Sequence, residues 1–172
     1  MNKKGLVFGV AILAACGIGS VYLVSPSDAQ GAAMIDACSN LVKSQMKSPS
    51  SYRMIDSIFD IKVVNKDDLP AKLDAINSDP IRQGVERGYF SISEGKAFVE
   101  FESQNSFGVM LKGNAQCNFN IYDTSWASFE SATVGDRQAS MADLIIVSSQ
   151  HKVDDTFKSK FKYLKYKLFK TI

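Results

Sequence analysis

Histidine and tryptophan are each used once, at His151 and Trp126, and cysteine three times, at Cys16, Cys38 and Cys117. One histidine with so few cysteines falls short of the ligand set that a zinc or other transition-metal centre needs. No Gly-x-Ser-x-Gly elbow accompanies His151, so no Ser-His nucleophile pair is signalled, and His151 is expected to be structural or at the surface. The phosphate loop and the dinucleotide fingerprint are both missing. Asp67 and Asp68 lie in a turn without the ligand spacing or glycine of a calcium loop. No Cys-x-x-Cys pair marks a redox site. The sequence therefore gives no reason to expect a metal, a cofactor or an enzyme. Glu100 and Glu102 project from one strand face, about 6.5 to 7 Å apart by strand rise. Carboxylates at such distances can hydrolyse glycosides, but beside Phe98 they read as a solvated face.

What is present is an ordinary globular composition, 45% apolar and 22% charged in 172 residues, which is one domain by default. The net charge of +2 conceals a division. Residues 30–149 carry 11 Lys and Arg against 15 Asp and Glu, a balance of −4. Residues 150–172 carry seven Lys against two Asp, a balance of +5.

At the N-terminus Lys3 and Lys4 precede twenty residues without a charge, 5–24, and then Ser25-Pro26-Ser27-Asp28-Ala29. This is the outline of an export signal. Three outcomes are open. Ser27 and Ala29 are small enough for cleavage after Ala29. The run is also long enough to stay as a membrane anchor, with Lys3 and Lys4 on the cytoplasmic side. Finally, Leu13-Ala14-Ala15-Cys16 resembles the lipobox of bacterial lipoproteins, which implies acylation of Cys16; the apolar continuation 17–24 departs from that pattern. Each outcome puts residues 30–172 outside the cytoplasm, as one exported domain behind an N-terminal segment of residues 1–29.

The organising stretch is 109–121. Val109, Leu111, Ala115, Cys117, Phe119 and Ile121 alternate with mostly polar residues, with Gly113 the one gap, so the segment is expected to be a strand with Cys117 facing a core. Residues 32–47 carry Ile35, Cys38, Leu41, Val42 and Met46 at helical spacing and stop at Pro49. Cys38 lies on that apolar stripe. Two core-facing cysteines in an exported chain predict a Cys38–Cys117 disulfide. Residues 52–64 are β-rich. Residues 65–88 read as a helical insertion, with Pro70 and Pro80 at helix starts and Gly88 closing the second helix. Glu94-Gly95 reads as the turn of a hairpin between 89–93 and 96–104, and 105–108 as a further reversal. The expected architecture is α+β: an N-terminal helix on an antiparallel meander of three or four strands, with a C-terminal amphipathic helix.

The combination of a cysteine helix ending in Lys47-Ser48-Pro49-Ser50-Ser51, a strand ending in Gln104-Asn105-Ser106-Phe107-Gly108, and a second cysteine on the next strand resembles a small domain of bacterial and phage envelope proteins. The resemblance spans residues 30–119 and implies a fold and an exported location, without an activity.

In the last third, Trp126, Phe129 and a turn at Val134-Gly135-Asp136 precede Leu144-Ile145-Ile146-Val147, which periodicity assigns equally to strand or helix. Residues 153–170 read as a helix with Val153, Phe157, Phe161, Leu164 and Leu168 as its stripe. Its Lys158, Lys160, Lys162, Lys165 and Lys167, with Tyr166, are candidates for contact with an anionic membrane or an acidic partner. The alternative is that the stripe docks on the domain and the lysines face water. Nucleic acid would satisfy the charge but does not suit an exported domain. The expectation is a non-catalytic, membrane-attached envelope protein that binds another envelope or phage component. Two alternatives remain: an envelope hydrolase or hydrolase inhibitor, and a membrane-surface effector acting through the basic helix.

Overall fold

The computed structural model describes residues 20–76, 78–123 and 126–169. Its central element is helix α1, Pro26–Ser44. The Ser25 hydroxyl caps it by accepting from the Asp28 amide at 3.1 Å. Pro26 occupies the first turn, where a missing N–H costs nothing. The helix begins well before the apolar stripe read from residue 32, because Ala29, Gly31, Ala32 and Ala33 show no periodicity. They are small and buried on every side. A helix buried all round needs partners all round. The sheet covers one side of α1, and helices α4 (Met141–Gln150) and α5 (Phe157–Phe169) pack against others.

The architecture is α+β, as expected, but the sheet has five strands rather than three or four. β1 (Arg53–Val63), β2 (Ile92–Gln104), β3 (Met110–Tyr122), β4 (Trp126–Val134) and β5 (Arg137–Gln138) lie in sequential order, each antiparallel to the next. The additional pair was hidden by its surroundings. Ala132 is the one fully buried residue of β4, and a register shift opposite Asn118 and Phe119 breaks the alternation.

The hairpin expected at Glu94-Gly95 does not exist. β2 runs straight through it, and Gly95 pairs with Phe119 on one side and Ile61 on the other. Glycine serves another purpose there. A Cβ at Gly95 would strike the Met34 sulfur of α1 and lie 2.9 Å from Ile121 Cδ1. The residue is small so that α1 can approach the sheet.

Odd-numbered residues of β2 and β3 face α1: Ala97, Val99, Phe101, Ala115, Cys117, Phe119 and Ile121 form the main core with Met34, Ile35, Cys38, Leu41 and Val42. Val109 and Leu111 continue that alternation yet are exposed, because the hairpin overhangs the end of α1. On the opposite face the insertion forms α2 (Leu69–Ala75) and α3 (Asp79–Glu86), closed by Gly88 at φ 72°. Leu73, Ile76 and Val85 there bury Ile92 and Tyr122 in a second, smaller core.

Residues 144–147 are helical. Ser140 and Asp143 form a reciprocal capping box that starts α4. The last helix is shorter than its periodicity suggests. Val153 is buried as a bridge to Ala127 of β4. Asp154 then accepts from the Thr156 amide and from the Thr156 and Ser159 hydroxyls, which starts α5 at Phe157.

Candidate functional site

Cys38 and Cys117 are joined in a disulfide with their Cα atoms 5.9 Å apart. Both are fully buried, so the bond is a structural clamp between α1 and β3 rather than an accessible redox centre. Cys16 lies outside the described residues, as does most of the uncharged run. Among the described residues no helix is long and apolar enough to cross a membrane.

The densest polar cluster holds α1, α4 and α5 together. Asp36 of α1 accepts from the Lys162 ammonium of α5. His151, which ends α4, places Nδ1 3.3 Å from Asp36 Oδ2 and 3.2 Å from Asn40 Nδ2. Burial pushes the Asp36 carboxyl up, but the Lys162 hydrogen bond and charge, with His151 beside it, outweigh burial and hold it below the usual carboxylate range. Burial likewise raises Asp154, and the Ser159 and Thr156 hydrogen bonds bring it below its ordinary value. Among the described residues His151 is hydrogen-bonded to Asp36 and Asn40, and the neighbouring Ser149 hydroxyl donates to Ile146 O. The arrangement fastens helices rather than activating a nucleophile.

The six contact candidates of α5 divide between its two faces. Lys162 is turned inward to Asp36, and Tyr166 is 8% exposed with its hydroxyl donating to Ser57 O of β1. Ser159 is buried on the same side. Tyr163 reaches Asp28, so α5 runs back along α1 toward its start; burial and then Asp28 raise the Tyr163 phenol. Of the apolar stripe read from the sequence, Val153 is buried and Leu164 half-buried, and the remaining three residues are left outside. Phe157 is 57%, Phe161 59% and Leu168 74% exposed. Lys158, Lys165 and Lys167 are exposed beside it and Lys160 is half-buried. Polar and aromatic side chains therefore dock this helix, and Phe157, Phe161 and Leu168 do not.

At the end of α1 remote from the N-terminal run, the two sequence motifs meet. The Ser51 hydroxyl accepts from the Gln104 amide at 2.9 Å. Asn105 Oδ1 accepts from the Phe107 and Val109 amides at 2.9 and 3.0 Å, and Gly108 turns at φ 79°. This loop holds Phe107 out at 88% exposure, with Val109, Met110 and Leu111 also exposed. Beside it is an open groove of about 400 Å³. Val42, Met46, Phe101 and Val134 line it together with Lys47 and Arg137, and no carboxylate does. Its size is that of a ligand or side-chain pocket. Sequence reasoning identified Asn105 and Gly108 only as a turn, since a groove depends on Arg137, which is distant in the chain and on a strand the periodicity did not show.

The carboxylates singled out on β2 are separated by their partners. Glu102 accepts from Arg53 Nε at 2.6 Å, whereas Glu100 is exposed beside Phe98 and Asp56 in a hollow of about 120 Å³. Lys72 of the insertion, not marked by any sequence pattern, bridges Glu94 and Glu130 at 2.9 and 2.8 Å. Burial lowers its pKa, but Glu130 and Glu94 outweigh that and raise it. Among the described residues no group of three His, Cys, Asp or Glu could hold a metal ion. Compared with known proteins, the chain matches no family model, no curated protein and no solved structure.

Proposed function

We propose that this chain is a non-catalytic, membrane-attached domain of the cell envelope that binds an envelope or phage-encoded protein at the groove where α1 ends. The observation that carries this reading is the ordered apolar loop at Phe107. An exposed run of Phe107, Val109, Met110 and Leu111 costs solubility and is pinned in place by hydrogen bonds, which is the character of a contact surface. The neighbouring groove has an apolar floor and two cations, Lys47 and Arg137, that make no ion pair among the described residues. Its complement is an acidic segment with one or two large apolar side chains.

The reading of membrane attachment is supported by the N-terminal run and by where α1 begins. Cleavage after Ala29 would remove the Ser25 cap, worth about 1 kcal/mol, and the first turn of a helix buried from Ala29 onward. Retention of the run as an anchor, or processing that leaves an acylated Cys16 as the first residue, leaves α1 whole. A buried disulfide is compatible with an exported domain. A hydrolase has less support, because Glu102 is committed to Arg53 and His151 to α1.

The test is affinity capture with the full chain from detergent-solubilised native envelope. One protein should be retained by the unmodified chain. Phe107→Asp, or Lys47→Glu with Arg137→Glu, should weaken retention by roughly 30-fold, the size of a hot-spot loss. A chain with the outer lysines of α5 reversed should retain it unchanged. Equal capture by all variants, or none by any, contradicts the proposal.

A further inference from the structure

We infer that the outward face of α5 is a lipid-binding surface, on which Phe157, Phe161, Leu164 and Leu168 enter the interface of an anionic bilayer. The four residues recur at spacings of four, three and four, so they form one stripe along the helix. The stripe lies opposite the side that Ser159, Lys162 and Tyr166 bury against α1 and β1. Docking on the domain is carried mainly by that other face; Leu164 is half-buried at the edge of the stripe, while Phe157, Phe161 and Leu168 stay exposed.

The lysines fix the kind of surface. On a helix of 3.6 residues per turn, Lys158 and Lys165 fall along one flank of the stripe and Lys160 and Lys167 along the other. An apolar strip with cations on both edges fits a planar surface that is apolar below and negative all round. That is the bilayer interface, where lysine stems lie on hydrocarbon and their ammonium groups reach phosphate. A protein partner would have to supply an apolar trough with acidic walls on both sides. The attraction is also local, since residues 30–149 carry a balance of −4 and the net positive balance of the domain lies in residues 150–172, at +5.

The chain places the helix where a membrane would be. α5 runs back toward the start of α1, with Tyr163 at Asp28. The uncharged run 5–24 enters α1 at that same end. Between them the backbone turns at Leu23 and Val24 and is extended at Ser25, so α1 and α5 need not continue the direction of the run. This inference shares with the proposed function the attachment of the N-terminal segment to the membrane, but not the groove.

The test uses Phe161→Trp in the full chain, reconstituted into vesicles whose lipids carry brominated acyl chains. The vesicles are phosphatidylcholine alone or phosphatidylcholine mixed with phosphatidylglycerol. Trp126 emission is subtracted with the unmodified chain. Position 161 is exposed, so the change leaves the fold intact. The added emission should be quenched in the phosphatidylglycerol vesicles, and high salt should weaken the quenching. Reversal of Lys158, Lys160, Lys165 and Lys167 to Glu should abolish it while the disulfide and helix content stay unchanged. Unquenched emission in the anionic vesicles overturns the inference, as does quenching that survives the reversal. Neither result touches the groove, which is read by capture in detergent.

Discussion

Replacing Cys38 and Cys117 together by alanine should cost about 4 kcal/mol and lower the melting temperature by about 10 to 15 °C. The bond closes a loop across a sequence separation of 79 residues, which removes about 4 to 5 kcal/mol of loop-closure entropy from the unfolded chain. Domains of this size are stable by only about 5 to 15 kcal/mol. The variant should therefore lie near the edge of folding at the temperatures where the native chain is secure. The unmodified chain in strong reductant should behave the same way once unfolding exposes the bond. Alanine leaves small voids in the core that both cysteines share with Met34 and Phe119 and adds to the loss. Thermal and urea unfolding, with and without reductant, measures it. A shift equivalent to less than about 1 kcal/mol would mean that packing of α1 on the sheet, not the clamp, holds the two layers together.

Asp36→Asn should destabilise the domain by about 2 to 3 kcal/mol near neutral pH. Lys162 is then left facing a neutral side chain in a place where both partners are largely shielded from water. The figure sits below that for a fully buried pair because Lys162 keeps some exposure. The pH dependence has a definite sign. The Asp36 carboxyl lies below its ordinary 3.8 in the folded chain. Its contribution is therefore complete above about pH 4, the unfolded value, and fades as pH falls through the folded one. The asparagine variant should show a shallower loss of stability below pH 4 than the native chain. Some slope will remain, since Asp154 is depressed as well. Unfolding measured from pH 2 to 7 gives both quantities. Identical acid limbs would remove Asp36 from the forces that hold α5.

Legibility from the sequence followed the burial of each element. β3 buries one face, and the later part of α1 separates an apolar stripe from a polar side that includes Asp36, Asn40 and Lys43, so their periods were plain, and with them the Cys38–Cys117 bond. The start of α1 was not, because a helix enclosed on all sides by virtue of Ala29, Gly31, Ala32 and Ala33 has no polar face to reveal it. Gly95 was misread for a related reason. A glycine between strand-like segments signals a turn, and only the third dimension shows Met34 standing over it. α5 inverted the usual rule. Phe157, Phe161 and Leu168 of its apolar stripe face water, while Lys162 and Tyr166 are turned in by Asp36 and Ser57 O, partners that lie more than a hundred residues away. The groove was legible in halves: Lys47 and Asn105 each lie in a visible motif, but Arg137 joins them only through β4 and β5.

The most direct measurement is the intact mass of the mature protein from its native envelope, taken before and after reduction and alkylation. The account predicts a chain that still contains Ser25 to Ala29, either whole or beginning at an acylated Cys16. Cys38 and Cys117 should become alkylated only after reduction. A mature chain beginning at Gln30 would contradict it, and so would two thiols that react without reduction.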